Sequence, residues 1–348
     1  MLNLIYFVII LGLIVLVHEF GHFIFAKMFG IYVYEFAIGM GPKIFHFKKK
    51  NGETEYSIRA IPIGGFCSLA GEDLDSDDSL KIPKDRRLQS KKAWQRFLVM
   101  FFGAGNNFIL AFLLLFTIAL GWGAVSSKPI VTELVSNNPA EIAGIEVGDY
   151  ITQINGHKIK TSDDISIYLQ VENKDKPITF TVKRNGMELD IDVTPIKEEV
   201  DGSEIYRVGI ISSGNVEKGF TTSIKYAFTK MNSLFRQMII TFKGLFTGCI
   251  SVNQLSGPVG IYSIVGTQVH AGFQNVLYLI ALLSINVGFI NLIPFPAFDG
   301  GRILFLIIEK ITGKPVKPET ENKIHTIGFI LLLALMLYIT FNDILKLF

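Results

Sequence analysis

The stretch LIVLVHEFGHFIFAK, residues 13–27, decides the fold because it places three ionisable side chains inside an otherwise apolar run. That run covers 4–27 and is long enough for a helix to cross a bilayer core of about 30 Å. Ionisable residues are rare in such helices and usually functional. No Lys or Arg precedes Lys27 and no small-residue cleavage site follows, so we expect a retained transmembrane helix and not a signal peptide.

The composition favours a membrane protein. The chain has 348 residues, of which 49% are hydrophobic, and a net charge of only +2. An apolar content this segregated toward both ends is unusual for a soluble protein. No basic stripe is visible, so no nucleic-acid partner is predicted. The two cysteines lie far apart and imply no disulfide framework.

Three more stretches satisfy or nearly satisfy the length for a membrane span, at 97–121, 275–293 and 326–345. The segment 43–96 carries about a dozen Lys and Arg, and positive charge marks the cytoplasmic side. We therefore expect the N-terminus outside, 30–96 inside, 122–274 outside and 301–324 inside. The predicted fold class is a polytopic α-helical membrane protein with four transmembrane helices, a cytoplasm-side β-element and an extracytoplasmic α+β domain.

The predicted β-element consists of two extended stretches, YVYEFAIG and TEYSIRAIPIGGF, joined by a turn at KKKNGE. The acidic stretch EDLDSDDS, 72–79, is expected to be a solvated loop. In the second strand, Pro62 suits a sheet edge, and Gly64 and Gly65 permit close approach of another backbone. Substrate is expected to add as a strand along 57–66, which makes Ile61, Ile63, Gly64 and Gly65 candidate substrate-binding residues.

The α+β domain contains the pattern A-x-x-A-G-I-x-x-G-D-x-I-x-x-I-N-G over 140–156. Pro139 and Gly144 predict the two ends of a short helix, 163–171 a second helix, and Asn185-Gly186 a hairpin turn. Over 128–197 the sequence resembles a single bacterial PDZ domain, which implies a peptide binder or a filter for substrates. The stretch 220–248 has helical amphipathic spacing and predicts an interfacial connecting helix.

The chemistry is indicated by His18 and His22, which lie one helical turn apart and so leave the same face of the helix. Two imidazoles in this arrangement reach one zinc ion, and in the H-E-x-x-H pattern Glu19 takes a proton from the attacking water. From Leu4 to His18 is roughly 21 Å at 1.5 Å per residue, so the site is expected about two-thirds of the way across from outside.

A catalytic zinc needs a third protein ligand, for which Asp299 in SINVGFINLIPFPAFDGGR, 284–302, is the candidate. Pro294 and Pro296 break the helix there, and irregular backbone at membrane depth is tolerated only where it lines an enclosed cavity. The alternative is that Asp299 only caps a helix over 300–310. Asn291 either satisfies backbone groups freed at the break or holds substrate backbone or a developing oxyanion.

HEFGH in the first apolar helix and NLIPFPAFDGG in a later one resemble the site-2 protease family of intramembrane zinc metalloproteases. LSGPVGI, 255–261, and the single PDZ-like domain are similar to its bacterial regulator-of-sigma-E branch. The resemblance implies Zn²⁺ held by His18, His22 and Asp299, with Glu19 as catalytic base. It also implies a bacterial cytoplasmic membrane, and a membrane-associated β-element over 31–66 that holds substrate.

The predicted function is an intramembrane zinc endopeptidase that cleaves single-pass transmembrane proteins, such as anti-sigma factors or signal-peptide remnants, in the lipid bilayer. A metal transporter or a zinc-dependent membrane scaffold stays open as the alternative, since transporters also place His and Asp at mid-membrane. The predicted organisation is the first helix 1–30, cytoplasmic hairpin and loop 31–96, second helix 97–121, PDZ domain 122–200, interfacial helix and connector 201–274, third helix with its broken segment 275–300, and cytoplasmic loop and fourth helix 301–348.

Overall fold

The computed structural model describes residues 2–72, 82–172, 176–200, 203–212, 214–314 and 316–346. Most of the predicted acidic loop at 72–79 lies outside these ranges. The chain divides into two compact units. The first, here called the membrane unit, contains the residues up to Ala111 together with Gly257–Phe341; the second contains Phe112–Ser256 and the residues from Asn342 onward.

Nine helices are present in the described residues, in chain order: α1 Leu2–Met28, α2 Ala93–Trp122, α3 Pro139–Ile142, α4 Ser162–Val171, α5 Phe220–Thr247, α6 Pro258–Ala271, α7 Phe273–Leu292, α8 Asp299–Thr312 and α9 Pro318–Leu345. Four of them, α1, α2, α7 and α9, are long and apolar enough to cross a membrane. The predicted number of spans is therefore confirmed. The fourth helix begins eight residues before its predicted start at 326, because its first turns are polar and hydropathy detects only the apolar part.

Two shorter helices complete the membrane unit, of which only α8 was considered in the sequence, as the alternative helix over 300–310. The helix α6 lies in the region interpreted only as a connector, since 14 residues of mixed composition are too short for a span. The helix α8 begins at Asp299, immediately after the segment that contains both prolines. Phe298 occupies the N-cap position, so Asp299 is not the N-cap and its side chain is available for other contacts.

The β-element consists of β1, Val33–Lys48, and β2, Glu55–Leu69. Both strands bend and pair twice, which gives four segments in the order 64–69, 33–38, 55–58 and 43–48. Gly39 lies at the bend of β1 with φ +85°, and a Cβ there would collide with the carbonyl of Ile61. A residue without a side chain is therefore needed for the chain to turn and pair on both sides.

This sheet order corrects the predicted substrate edge at 57–66. Ser57 pairs with both Ala37 and His46, so the first part of that stretch lies inside the sheet. No other strand of the described residues pairs with the far side of 65–69, which leaves that segment as the open edge. The alternation of apolar residues predicted the strand. It does not indicate which edge of that strand is covered when β1 bends and pairs with it twice.

The second unit contains a small α+β domain, residues 124–217. Its strands are β3 Ala124–Val125, β4 Glu133–Leu134, β5 Tyr150–Ile154, β6 His157–Lys158, β7 Ile178–Arg184, β8 Met187–Val193, β9 Ile196–Val200, β10 Ser203–Arg207, β11 Ile210–Ile211 and β12 Val216–Glu217. A four-stranded sheet in the order β6-β5-β7-β8 covers a core that includes Ile151, Ile178 and Phe180. The short helix from Pro139 and the hairpin at Asn185-Gly186 are confirmed.

The helix α5 is docked on α4 by charged pairs. Lys230 Nζ lies 2.7 Å from Asp163 Oδ2, and the Arg236 guanidinium lies 3.0 Å from Asp164 Oδ2. Asp164 also accepts hydrogen bonds from the backbone at the start of α4, as part of a capping box with Thr161. The amphipathic helix predicted at 220–248 therefore packs on the protein along this polar face.

Candidate active site

The predicted metal ligands His18, His22 and Asp299 meet in the membrane unit. His18 and His22 project from one face of α1, and Asp299 is the first residue of α8. The two Nε2 atoms lie 3.2 Å apart, and Asp299 Oδ2 lies 3.2 Å from that of His18 and 3.3 Å from that of His22. Both histidines are buried. The fold thus brings a carboxylate from near the C-terminus to the two imidazoles of the first helix.

The triangle of donor atoms fits a tetrahedral zinc site. Ligands bound at about 2.0–2.1 Å in tetrahedral geometry lie roughly 3.3–3.4 Å from one another. The three separations observed here are close to that value. Asp299 Oδ2 is buried and has no hydrogen-bond partner among the described residues. A buried carboxylate oxygen facing two imidazole nitrogens is the arrangement that a divalent cation stabilises.

The backbone of α2 fixes the orientation of His22. Its Nδ1 lies 2.8 Å from the carbonyl oxygen of Val99, 77 residues further along the chain. When Nδ1–H donates to that carbonyl, the Nε2 lone pair is directed at Asp299 and His18, as a metal-binding histidine requires. Val99 could not be predicted from the sequence, because nothing in an apolar side chain signals the role of its carbonyl oxygen.

Two glycines allow α1 and α8 to approach α2. A Cβ at Gly21 would collide with the carbonyl of Phe102, and a Cβ at Gly103 would collide with the His22 ring and lie 3.0 Å from Asp299 Oδ2. Neither glycine was predicted from the sequence. The run Gly103-Ala104-Gly105 in an apolar helix was the available signal, since small residues let membrane helices pack closely.

His18, His22 and Asp299 line an open cleft of about 870 Å³. Glu19 and Asn291 line the same cleft, as do Phe66, Cys67, Ser68 and Leu69 from the open sheet edge. Gly65 adjoins it, because a Cβ at that position would lie 3.9 Å from Glu19 Cγ.

Two other predicted substrate-binding positions are not in this cleft. Ile61 pairs with Met40 and is half exposed, and Gly64 faces the Met40 side chain. Neither is among the residues that line the cleft. The side chain of Ile63 lies outside the described part of the structure. Of the three predicted strand positions whose side chains or Cβ positions the structure describes, only Gly65 lies next to the catalytic cluster.

The model of Peptidase family M50 matches residues 6–335, which is nearly the whole chain. The chain belongs to this family. It is 35% identical over 419 residues to the regulator of sigma-W protease RasP of Bacillus subtilis, with 98% of each chain covered. A protein of Clostridium perfringens whose name proposes a zinc metalloprotease is 41% identical over 333 residues, with 95% of each chain covered.

As an M50 peptidase, the chain is a zinc metalloendopeptidase of the site-2 type and a multi-pass membrane protein. The resemblance of the α+β domain to a PDZ domain stays a prediction. A solved PDZ domain of an SdrC-like protein from Listeria innocua is 22% identical and covers 24% of this chain and 91% of its own, with a TM-score of 0.21.

Proposed function

We propose that this M50 peptidase cleaves single-pass transmembrane proteins within the bilayer, with zinc held by His18, His22 and Asp299 and with Glu19 as general base. The observation that carries the proposal is the triangle of donor atoms, 3.2–3.3 Å on each side, in a cleft that also contains Glu19. Bound zinc would polarise the scissile carbonyl and make water a better nucleophile at neutral pH.

Three further groups of the protein have roles in the proposed hydrolysis. The Glu19 carboxylate takes a proton from the water whose oxygen attacks the amide carbon, and returns it to the nitrogen as the carbon–nitrogen bond breaks. The Val99 carbonyl holds His22 in the tautomer that leaves Nε2 free. Asn291, which lines the cleft from α7, is placed to hold substrate backbone or the developing oxyanion by hydrogen bonds from its amide.

Substrate would add as a strand to the open edge at 65–69. A transmembrane helix hides its scissile carbonyls in its own hydrogen bonds, so it must unwind before hydrolysis. Pairing with Phe66–Leu69 would hold the unwound segment extended along the cleft that contains Glu19. Because backbone pairing is largely indifferent to side chains, Pro or Gly in a substrate helix should speed cleavage.

The proposed topology rests on charge. The concentration of Lys and Arg in 43–96 supports a cytoplasmic position for the β-element, with the N-terminus and the α+β domain outside a bacterial cytoplasmic membrane. That domain would act as a PDZ-type filter or peptide binder that admits trimmed substrates. The name of the B. subtilis relative, regulator of sigma-W protease, supports anti-sigma factors as one substrate class, beside signal-peptide remnants.

Glu19→Gln tests the proposed base. This variant keeps the size of the side chain and its hydrogen-bonding capacity but removes the basic carboxylate. We expect normal zinc content and a loss of activity of about 10²–10⁴-fold, the usual contribution of general-base catalysis. Cleavage of a single-helix substrate in detergent or proteoliposomes gives the rate. Glu217→Gln, the same change on an exposed strand of the α+β domain, is the matched control, and comparable rates for the two variants would rule out Glu19.

Cysteine cross-linking tests the proposed substrate edge. In a background with Cys67→Ala and Cys249→Ala, Ser68→Cys should form a disulfide with cysteines near the scissile bond of a bound substrate. His46→Cys, on the opposite outer segment of the sheet, should not. Equal cross-linking from both edges, or none from Ser68→Cys, would eliminate strand addition at 65–69 and leave the metal chemistry untouched.

A further inference from the structure

The link between α7 and α8 determines where Asp299 lies. It contains Pro294 and Pro296, which have no N–H, so a helix cannot continue through the link. Ala297, two residues before Asp299, has φ +84°. This left-handed conformation is disfavoured for a residue with a Cβ and persists only where surrounding structure enforces it.

The helix α9 supplies that surrounding structure. His325 Nδ1 accepts a hydrogen bond of 3.0 Å from the backbone N–H of Ala297. One turn further along α9, Gly328 is buried against Pro296, where a Cβ would collide with the proline. Phe305 of α8 flanks the His325 ring, with 5.6 Å between ring centroids. The strained residue and the proline before it are thus both fitted to one face of α9.

We propose that His325 is a positioning residue for the hydrolysis, because it holds Ala297 in the left-handed conformation that directs Asp299 toward His18 and His22. The inference rests on the proposed role of Asp299 as a metal ligand. His325 lies in none of the motifs that indicated the catalytic site, yet it acts on that site through a single backbone N–H.

The tautomer of His325 leads to a sharp test. Because Nδ1 accepts a hydrogen bond, the proton of the neutral ring is on Nε2, which has no hydrogen-bond partner in the described ranges. Asn at this position would keep an acceptor near the place of Nδ1, whereas Gln would place its amide near Nε2. If His325 positions Ala297, the acceptor at the place of Nδ1 is required. If His325 contacted substrate directly, the polar group at the place of Nε2 would be required instead.

The experiment compares His325→Asn, His325→Gln and His325→Ala in the full-length protein, with zinc retention against a chelator, kcat and KM as readouts. We expect the Asn variant to resemble the native protein. The Gln and Ala variants should lose zinc at about 10–100-fold lower chelator concentration and lose kcat by a similar factor, as for other residues that orient ligands. KM should change little. His270→Ala, an exposed histidine on α6, is the control.

A second substitution separates positioning from general damage. Ala297→Gly removes the penalty of the left-handed conformation, so combining it with His325→Ala should restore part of the lost zinc retention. Native-like zinc retention and kcat in His325→Ala, a Gln variant more active than the Asn variant, or no rescue by Ala297→Gly would each overturn the positioning role. Asp299→Ala is measured in parallel. If that variant keeps zinc and activity, the proposed function fails; if it loses them while His325→Ala does not, only the inference fails.

Discussion

The membrane unit and the α+β domain differ in how their apolar side chains are distributed between the interior and the surface. In the membrane unit His18, His22, Asn107 and Ser284 are buried, whereas the apolar side chains of α9 are mostly exposed. In the α+β domain the apolar core cluster consists of Ile, Val, Phe and Ala side chains. The difference follows from the surroundings: hydrocarbon solvates apolar side chains, so those of α9 can stay exposed to it, whereas water favours the burial of apolar side chains in the α+β domain.

Two uses of glycine are seen by comparing particular positions in the two regions. In the membrane unit Gly21, Gly103 and Gly288 lie where a Cβ would collide with a neighbouring helix or with the site itself. In the α+β domain Gly186 occupies a turn with φ +85°, where a Cβ would meet nothing within 4 Å. The first use is steric and serves helix packing around the chemistry. The second is conformational and serves only the local chain reversal.

Gly103→Ala should have the largest effect of the substitutions that probe this contrast. The added methyl group collides with the His22 ring and crowds Asp299, so the donor atoms must separate. We expect depleted zinc and a loss of activity of about 10²-fold or more, as for displacements of about 1 Å in other active sites. Elemental analysis and a cleavage assay measure both.

Gly121→Ala is the matched control for that experiment. It makes the same change on the same helix at a position where a Cβ meets nothing within 4 Å. Alanine also favours the helix over glycine, so normal activity and unchanged or higher stability are expected. Full zinc and normal cleavage in Gly103→Ala would show that the site tolerates displacement, and the steric use of glycine would have to be abandoned.

Asp149→Asn should have an intermediate effect that is confined to the α+β domain. Asp149 is buried and accepts hydrogen bonds of 2.6–2.7 Å from Arg184 and one of 2.9 Å from the backbone N–H of Glu146. Removing its charge weakens these bonds, with an expected loss of about 1–3 kcal/mol of domain stability. Hydrogen exchange of peptides from 131–208 in the full-length protein measures it, and zinc content should not change.

The same carboxylate gives a pH dependence of known sign. Burial raises the pKa of Asp149, but the hydrogen bonds from Arg184 and the Glu146 backbone outweigh it and place the pKa below its ordinary value. A depressed pKa contributes stability that is complete above the unfolded value of about 3.9 and is lost as the pH falls through the folded value. The native domain should therefore lose stability below roughly pH 4, and Asp149→Asn should lose less over that range. Parallel pH profiles for the two proteins would contradict the assignment.

Gly186→Ala should have the smallest effect. The only expected penalty is the left-handed backbone conformation, about 1 kcal/mol for a residue with a Cβ. Exchange of the β7–β8 hairpin should quicken accordingly, while activity on short substrates stays at the native level. A catalytic defect as large as that of Gly103→Ala would erase the distinction between the two uses of glycine.

Features formed by residues close together in the chain were predictable. Four apolar runs gave the four candidate membrane helices, and spacing placed His18 and His22 on one face of α1 with Glu19 beside them. The turn at Asn185-Gly186 and the short helix after Asn138 followed from residues with strong local preferences. These predictions succeed because helix periodicity and turn conformation depend on neighbours within a few residues.

Only the tertiary structure decided how distant segments meet. Asp299 was predicted from the sequence as a metal ligand. The distance of 3.2 Å between its Oδ2 and His18 Nε2, however, depends on where α8 begins and on the left-handed Ala297 held by α9. The open sheet edge at 65–69 depends on the bend of β1, which alternation does not encode. The roles of the Val99 carbonyl and of Gly103 arise from the backbone and from the absence of a side chain. The residue type alone does not indicate such roles, because they arise only from the packing of two helices against each other.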